Sequence, residues 1–255
     1  MSLYKFFALI LIPVLALSNP AIAHAAPAAS EDALSEAEER KLLPIESNQI
    51  ENWPAGPAIG AQSAILMEAN TGVILYAKNI DEKLFPASTT KLMTCLIAAE
   101  KCQLNETITF SHDAIFSLEP GSSNIGIDEG QSMPFEECLY GILVASANEV
   151  ANAVAEHVAG SRQAFADLMN DKAKELGCKN THFVNAHGLH DKQHYTSAYD
   201  LALIGKAFFQ NELLSKIGNT ASHHFEATST QPDDFYERNK HQLISGTIPS
   251  FSYGL

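Results

Sequence analysis

Basic side chains are scarce in this chain. Sixteen lysines and arginines stand against 30 aspartates and glutamates, a formal charge of −14 and a pI near 5.0. That balance argues against a phosphate-binding surface, and no nucleic-acid contact is expected. There is one tryptophan, and there are no internal repeats. The only N-terminal apolar run, Phe6 to Leu17, is too short to favour a membrane-spanning helix. Cysteines number four, at 95, 102, 138 and 178, and their spacing does not suggest zinc. Cys95 and Cys102 lie about 10 Å apart along a continuous helix, beyond disulfide reach. Cys95 and Cys138 read as small buried hydrophobes. His182, His187, His190 and His194 crowd one segment, but no His-Glu-x-x-His pattern accompanies them. No metal and no cofactor is expected.

What is present divides the chain into three. Residues 1–25 read as a signal peptide: Lys5 gives the charge, Phe6 to Leu17 the apolar core, and Ala21-Ile-Ala23 or Ala23-His-Ala25 the cleavage site. The protein is therefore expected to be exported. Residues 26–57 read as an acidic linker containing Ala and Pro, a solvated tether with at most a short helix from Ser35 to Leu43. Residues 58–255 read as the folded domain.

Within that domain, Ala61–Glu68 and Val73–Ala77 are expected strands joined through Asn70-Thr-Gly72. Helices are expected at Leu92–Glu100, Phe135–Val144, Val150–Val158, Ala164–Leu176 with Gly177 as its stop, and Ala198–Phe209. Residues 222–228 and 241–245 are expected strands. A strand pair, a long helical insertion and then strands fit an α/β architecture.

Two short elements carry chemistry. In Ser88-Thr-Thr-Lys91, a helical spacing puts hydroxyl and amine on one face. Serine needs a base within hydrogen-bond reach to act as a nucleophile, and a desolvated lysine can be that base. Taken alone the tetrapeptide also fits a helix start with a surface lysine. Ser146-Ala147-Asn148 sets a hydroxyl and an amide among apolar residues, where unpaired polar groups are costly. Alone, it also fits a helix cap or turn.

Together, in this order, the elements resemble the penicillin-binding serine transferases. The nearest likeness is to the low-molecular-mass D-alanyl-D-alanine carboxypeptidases of peptidase family S11. The resemblance runs through Thr71-Gly72, Pro86-Ala87-Ser88, the run from Ser146 to Ser161, Asn185-Ala-His-Gly-Leu-His190 and Tyr195-Thr-Ser-Ala-Tyr-Asp-Leu-Ala202. It implies a serine β-lactamase/transpeptidase-like fold, an antiparallel sheet flanked by helices plus a helical subdomain. It implies Ser88 as nucleophile, Lys91 as general base, Ser146 as proton relay and Asn148 as substrate binder. It further implies a peptidoglycan stem peptide ending in D-Ala-D-Ala as substrate, inhibition by β-lactam antibiotics, and membrane association through a C-terminal segment outside this chain.

One departure stands out. The family's third motif, Lys-Thr-Gly, does not occur, and the sequence stops at Ser252-Tyr-Gly-Leu255. The expectation is a domain cut just before that motif, without its C-terminal strands and with an exposed sheet edge. Two alternatives stay open. A class A β-lactamase would need a deacylating glutamate after the second motif, and no convincing Glu-x-x-Leu-Asn stretch is present. A catalytically dead peptidoglycan-binding protein would account for the missing motif.

Overall fold

The computed structural model describes residues 30–227 and 234–246. The expected signal peptide, residue 228 of the first expected C-terminal strand and the Gly-Leu terminus lie outside them.

Helix α1 (Glu31–Arg40) starts at Ser30, whose hydroxyl accepts from Ala33 N. That cap places the helix earlier than the expected Ser35–Leu43. The solvated-tether reading is corrected for residues 40–57. The buried Lys78 ammonium donates to Arg40 O and Ile59 O, each at 2.7 Å. The buried Ser47 hydroxyl accepts from Ala77 N, the Glu46 carboxylate from Asn79 N, and Trp53 Nε1 donates to Leu75 O. A lysine can be buried here because two carbonyls replace its water, which fastens residues 40–59 to the strand that carries it.

That strand is β2 (Ile74–Lys78), antiparallel to β1 (Ala64–Met67) with a bulge between Leu66 and Met67. Glu68 closes their turn, accepting from Asn70 N, Thr71 N and the Thr71 hydroxyl. Those bonds, the Thr71 side chain foremost, hold its carboxyl down at about 2.

Helix α2 (Lys91–Lys101) is buried on nearly all sides, as its apolar run requires. Around it pack α4 (Phe135–Leu143), α5 (Asn148–Ala159), α6 (Arg162–Glu175), α7 (Ala198–Gln210) and α8 (Glu212–Gly218). Met93, Leu96 and Ile97 are at most 4% exposed, each worth about 1.5–3 kcal/mol by burial. Between α2 and α4 lie β3 (Thr107–Thr109), α3 (His112–Phe116) and β4 (Ser132–Pro134), with β3 and β4 paired antiparallel. So the insertion is not wholly helical.

The last described pair is β5 (Ser222–Phe225) against β6 (Phe235–Arg238). The strand expected at 241–245 is a turn instead. Asn239 explains this: its amide donates to Gly218 O and Thr220 O while its Oδ1 accepts from His241 N, which bends the chain away. All four cysteines are free, with Cys95 and Cys138 fully buried.

Candidate active site

Ser88 lies in a 3₁₀ turn, Ala87–Thr90, that runs directly into α2. Ser88 is exposed, whereas Thr90 and Lys91 on either side of the junction are buried. Ala87 has φ +48°, a left-handed conformation that costs a non-glycine residue on the order of 1–3 kcal/mol. The loop after α6 holds it there. Gly188 (φ +88°) presses so closely that an added Cβ would sit 1.9 Å from Ala87 O. Thr94 Oγ1 donates to Ala186 O at 2.6 Å. Val184 N donates to His194 Nδ1, so Nε2 carries the proton and donates to Thr90 Oγ1 at 2.8 Å. Burial pushes the His194 pKa down to about 4, which keeps that neutral tautomer. His182 meets Gln193 O, and His190 packs on Phe85.

Lys91 is 3% exposed. Its ammonium donates to Asn148 Oδ1 at 2.6 Å, His187 O at 2.8 Å and Ser88 Oγ at 3.2 Å. Three donors meet three acceptors. The longest contact is the one to Ser88. Burial is the main force lowering the Lys91 pKa, to about 8; Lys240 lowers it too, while Cys95 and Glu149 oppose.

Asn148 opens α5, and its N–H donates to Ser123 O at 2.9 Å. Ser146 stands two residues earlier, half-buried, with φ +60°. Its hydroxyl makes no hydrogen bond to Ser88 or Lys91 among the described residues. Ser88, Lys91 and Asn148 are thus joined through one amine, and Ser146 flanks them on the turn into α5.

Several neighbours had no signal in the sequence. Lys240 Nζ donates to Ser123 Oγ at 2.7 Å and its backbone N–H to Val144 O, so a second cation leans on the Ser146 turn. Glu149 is 2% exposed; Oε1 accepts from Ile125 N at 2.6 Å, and Oε2 has no partner among the described residues. Burial raises its pKa. His187 contributes its backbone carbonyl, which no side-chain pattern announces. Beside the site opens a cleft of about 680 Å³ whose walls include His187, Asn152, Ser111, Glu156 and Arg162.

The family model for D-alanyl-D-alanine carboxypeptidases, peptidase S11, matches residues 50–249. The chain belongs to this family. The carboxypeptidase DacF of Bacillus subtilis is 39% identical over 189 residues, covering 72% of this chain and 47% of that protein. DacA of Escherichia coli K12 is 37% identical over 166 residues, covering 62% and 41%. Among solved structures, the carboxypeptidase DacD of Francisella tularensis superposes with TM-score 0.66 at 32% identity, covering 73% of this chain and 46% of that one. Penicillin-binding protein 6B of E. coli gives TM-score 0.68 at 30% identity, covering 77% and 62%. The serine β-lactamase/transpeptidase-like fold expected from the resemblance is the fold observed, with its strands in small antiparallel pairs among the described residues. The chain spans about half the length of the curated relatives it matches.

Proposed function

We propose that this chain carries the nucleophilic half of a serine D-Ala-D-Ala carboxypeptidase acting on peptidoglycan stem peptides. One observation supports this above all: a buried lysine amine shared by Ser88, Asn148 and the His187 carbonyl. Neutral Lys91 takes the Ser88 proton as Oγ attacks the carbonyl carbon of the penultimate D-alanine. The Ser88 N–H donates one bond to the resulting oxyanion. As the carbon–nitrogen bond breaks, Ser146 relays a proton to the departing D-alanine amine. Water then cleaves the acyl ester and returns Ser88. Asn148 orients Lys91 through Oδ1, and its amide is placed for the substrate backbone.

A β-lactam ring opened by Ser88 keeps its amine tethered, so the ester persists and the enzyme is inhibited. The same reading places the protein outside the cytoplasm, at the cell wall, with membrane association as the family resemblance implies. Among the described residues no helix is long and apolar enough to cross a membrane.

The test is twofold. A fluorescent penicillin is expected to label Ser88, located by mass spectrometry, and Ser88→Ala to abolish the label. A peptide ending in D-Ala-D-Ala is expected to release D-alanine. Label on another residue, or peptide binding without release, would overturn the proposal in favour of a non-catalytic binder.

A further inference from the structure

Helices α2 and α5 both begin at the site, and their far ends meet a second cluster. Cys102 caps the C-terminus of α2, His157 stands in the last turn of α5, and Glu106 precedes β3. One ligand atom from each, the Cys102 Sγ, a Glu106 carboxylate oxygen and a His157 ring nitrogen, all lie within 4.8 Å of one another. His157 Nε2 and Glu106 Oε2 are already 2.9 Å apart. We propose that these three side chains form a Zn²⁺ site.

The geometry favours it. Around tetrahedral zinc with bonds of about 2.0–2.3 Å, ligand atoms sit roughly 3.3–3.8 Å apart. The cluster therefore needs adjustments of about an ångström, within rotamer reach. The backbone beneath is fixed: Cys102 N donates to Ala98 O, Glu106 N to Gln103 O, and Phe135 N to Glu106 O. Glu106 is also aimed, because Oε1 accepts from Gln103 N at 2.6 Å and leaves Oε2 toward the cluster. Such outer bonds orient metal ligands.

The donor set points to zinc. Sulfur, imidazole nitrogen and carboxylate oxygen suit a borderline cation, whereas Mg²⁺ and Ca²⁺ prefer oxygen alone. Three protein ligands on a half-exposed surface leave a fourth position for water. On binding, the Cys102 thiol proton is released to solvent and the thiolate bonds the metal. Residue spacing could not reveal the cluster, because its members come from three separate segments.

The consequence is mechanical. Lys91 and Asn148, which share the 2.6 Å bond, start the two helices whose ends the zinc would tie. Each helix is about 16–18 Å long. The ion would brace the pair from the side opposite Ser88.

The test uses the 255-residue chain stripped with a chelator. Zinc titrated against a chromophoric chelator is expected to bind one ion per chain, and zinc is expected to raise the unfolding temperature. Cobalt substituted at the site is expected to give a thiolate-to-metal charge-transfer band. Cys102→Ser should abolish the band, and His157→Gln should weaken zinc by more than the about 10–100-fold typical of losing an outer partner. Far-UV circular dichroism without metal establishes that each variant folds. Should Cys102→Ser not fold, His157→Gln decides, since its ring is on the surface. No stoichiometric binding at micromolar zinc, a cobalt band that survives in Cys102→Ser, or unchanged affinity in His157→Gln would overturn the proposal.

Discussion

On the proposed mechanism, acylation of Ser88 should be governed by the protonation of Lys91, and burial of its amine gives the expected pH range. With its pKa lowered to about 8 by burial, about 9% of Lys91 is neutral at pH 7, against about 0.03% for an ordinary lysine near 10.5. Burial thus raises the supply of base roughly 300-fold at neutral pH. The sign follows: below the inflection the amine is charged and cannot accept the serine proton, so the rate falls about tenfold per pH unit. Above it the rate is flat. Second-order labelling by a fluorescent penicillin, quenched at short times between pH 6 and 10, measures this. Lys91→Arg keeps a cation in place but supplies no base, so it should label on the order of 10³-fold more slowly, within the range of general-base losses. A wild-type rate that does not change between pH 6 and 8, or an inflection near that of a free lysine, would refute the reasoning.

Other outcomes follow from neighbouring contacts. Lys240→Ala removes a cation that lowers the Lys91 pKa, so the same inflection should move to higher pH. Gly188→Ala drives a Cβ to 1.9 Å from Ala87 O at a positive φ; we expect a loss of about 2–4 kcal/mol in urea unfolding and slowed labelling, because the Ser88 turn must shift. Lys78→Ala leaves Arg40 O and Ile59 O without their ammonium, so limited proteolysis should cut within residues 40–59 and stability should drop by about 3 kcal/mol or more. Burial holds His187 at about 3 and His194 at about 4. Their stabilisation is full above the unfolded value near 6.5 and is lost as pH falls toward the folded values. Each should contribute a slope of about 1 kcal/mol per pH unit between pH 6 and 5, measured by urea titration and roughly halved in His194→Asn.

The apolar periodicity of the long helices was legible, and α2, α4, α5, α6 and α7 fall within one or two residues of expectation. Their signal is strong because each buries a broad face against α2 or its neighbours. Weaker elements were decided by single polar side chains. Ser30 starts α1 early, and Asn239 turns 241–245 away from β5 while the half-exposed Phe235–Arg238 takes the strand position. The candidate site was legible where side chains meet at helical spacing, as those of Ser88 and Lys91 do. It was not legible where a backbone carbonyl takes part, as at His187, or where a distant segment brings a surface cation to the Ser146 turn, as at Lys240. The docking of residues 40–57 was hidden for a related reason: acidic composition resembles a tether, and the bonds that fix the segment involve main-chain atoms.

The two helix starts at the site have an electrical consequence. α2 and α5 converge at Lys91 and Asn148, 2.6 Å apart through their side chains. The peptide dipoles aligned along each helix amount to roughly half a positive charge at its start. A local positive field therefore sits within a molecule of charge −14. Far from the surface, an anionic ligand such as a peptide carboxylate is repelled; close to Ser88 it is attracted. Salt screens the distant repulsion at a Debye length of about 10 Å in 0.1 M solution, and it weakens short-range attraction in a partly buried site much less. Capture of an anionic peptide should accordingly quicken as ionic strength rises, opposite to the slowing seen where long-range attraction steers a ligand inward.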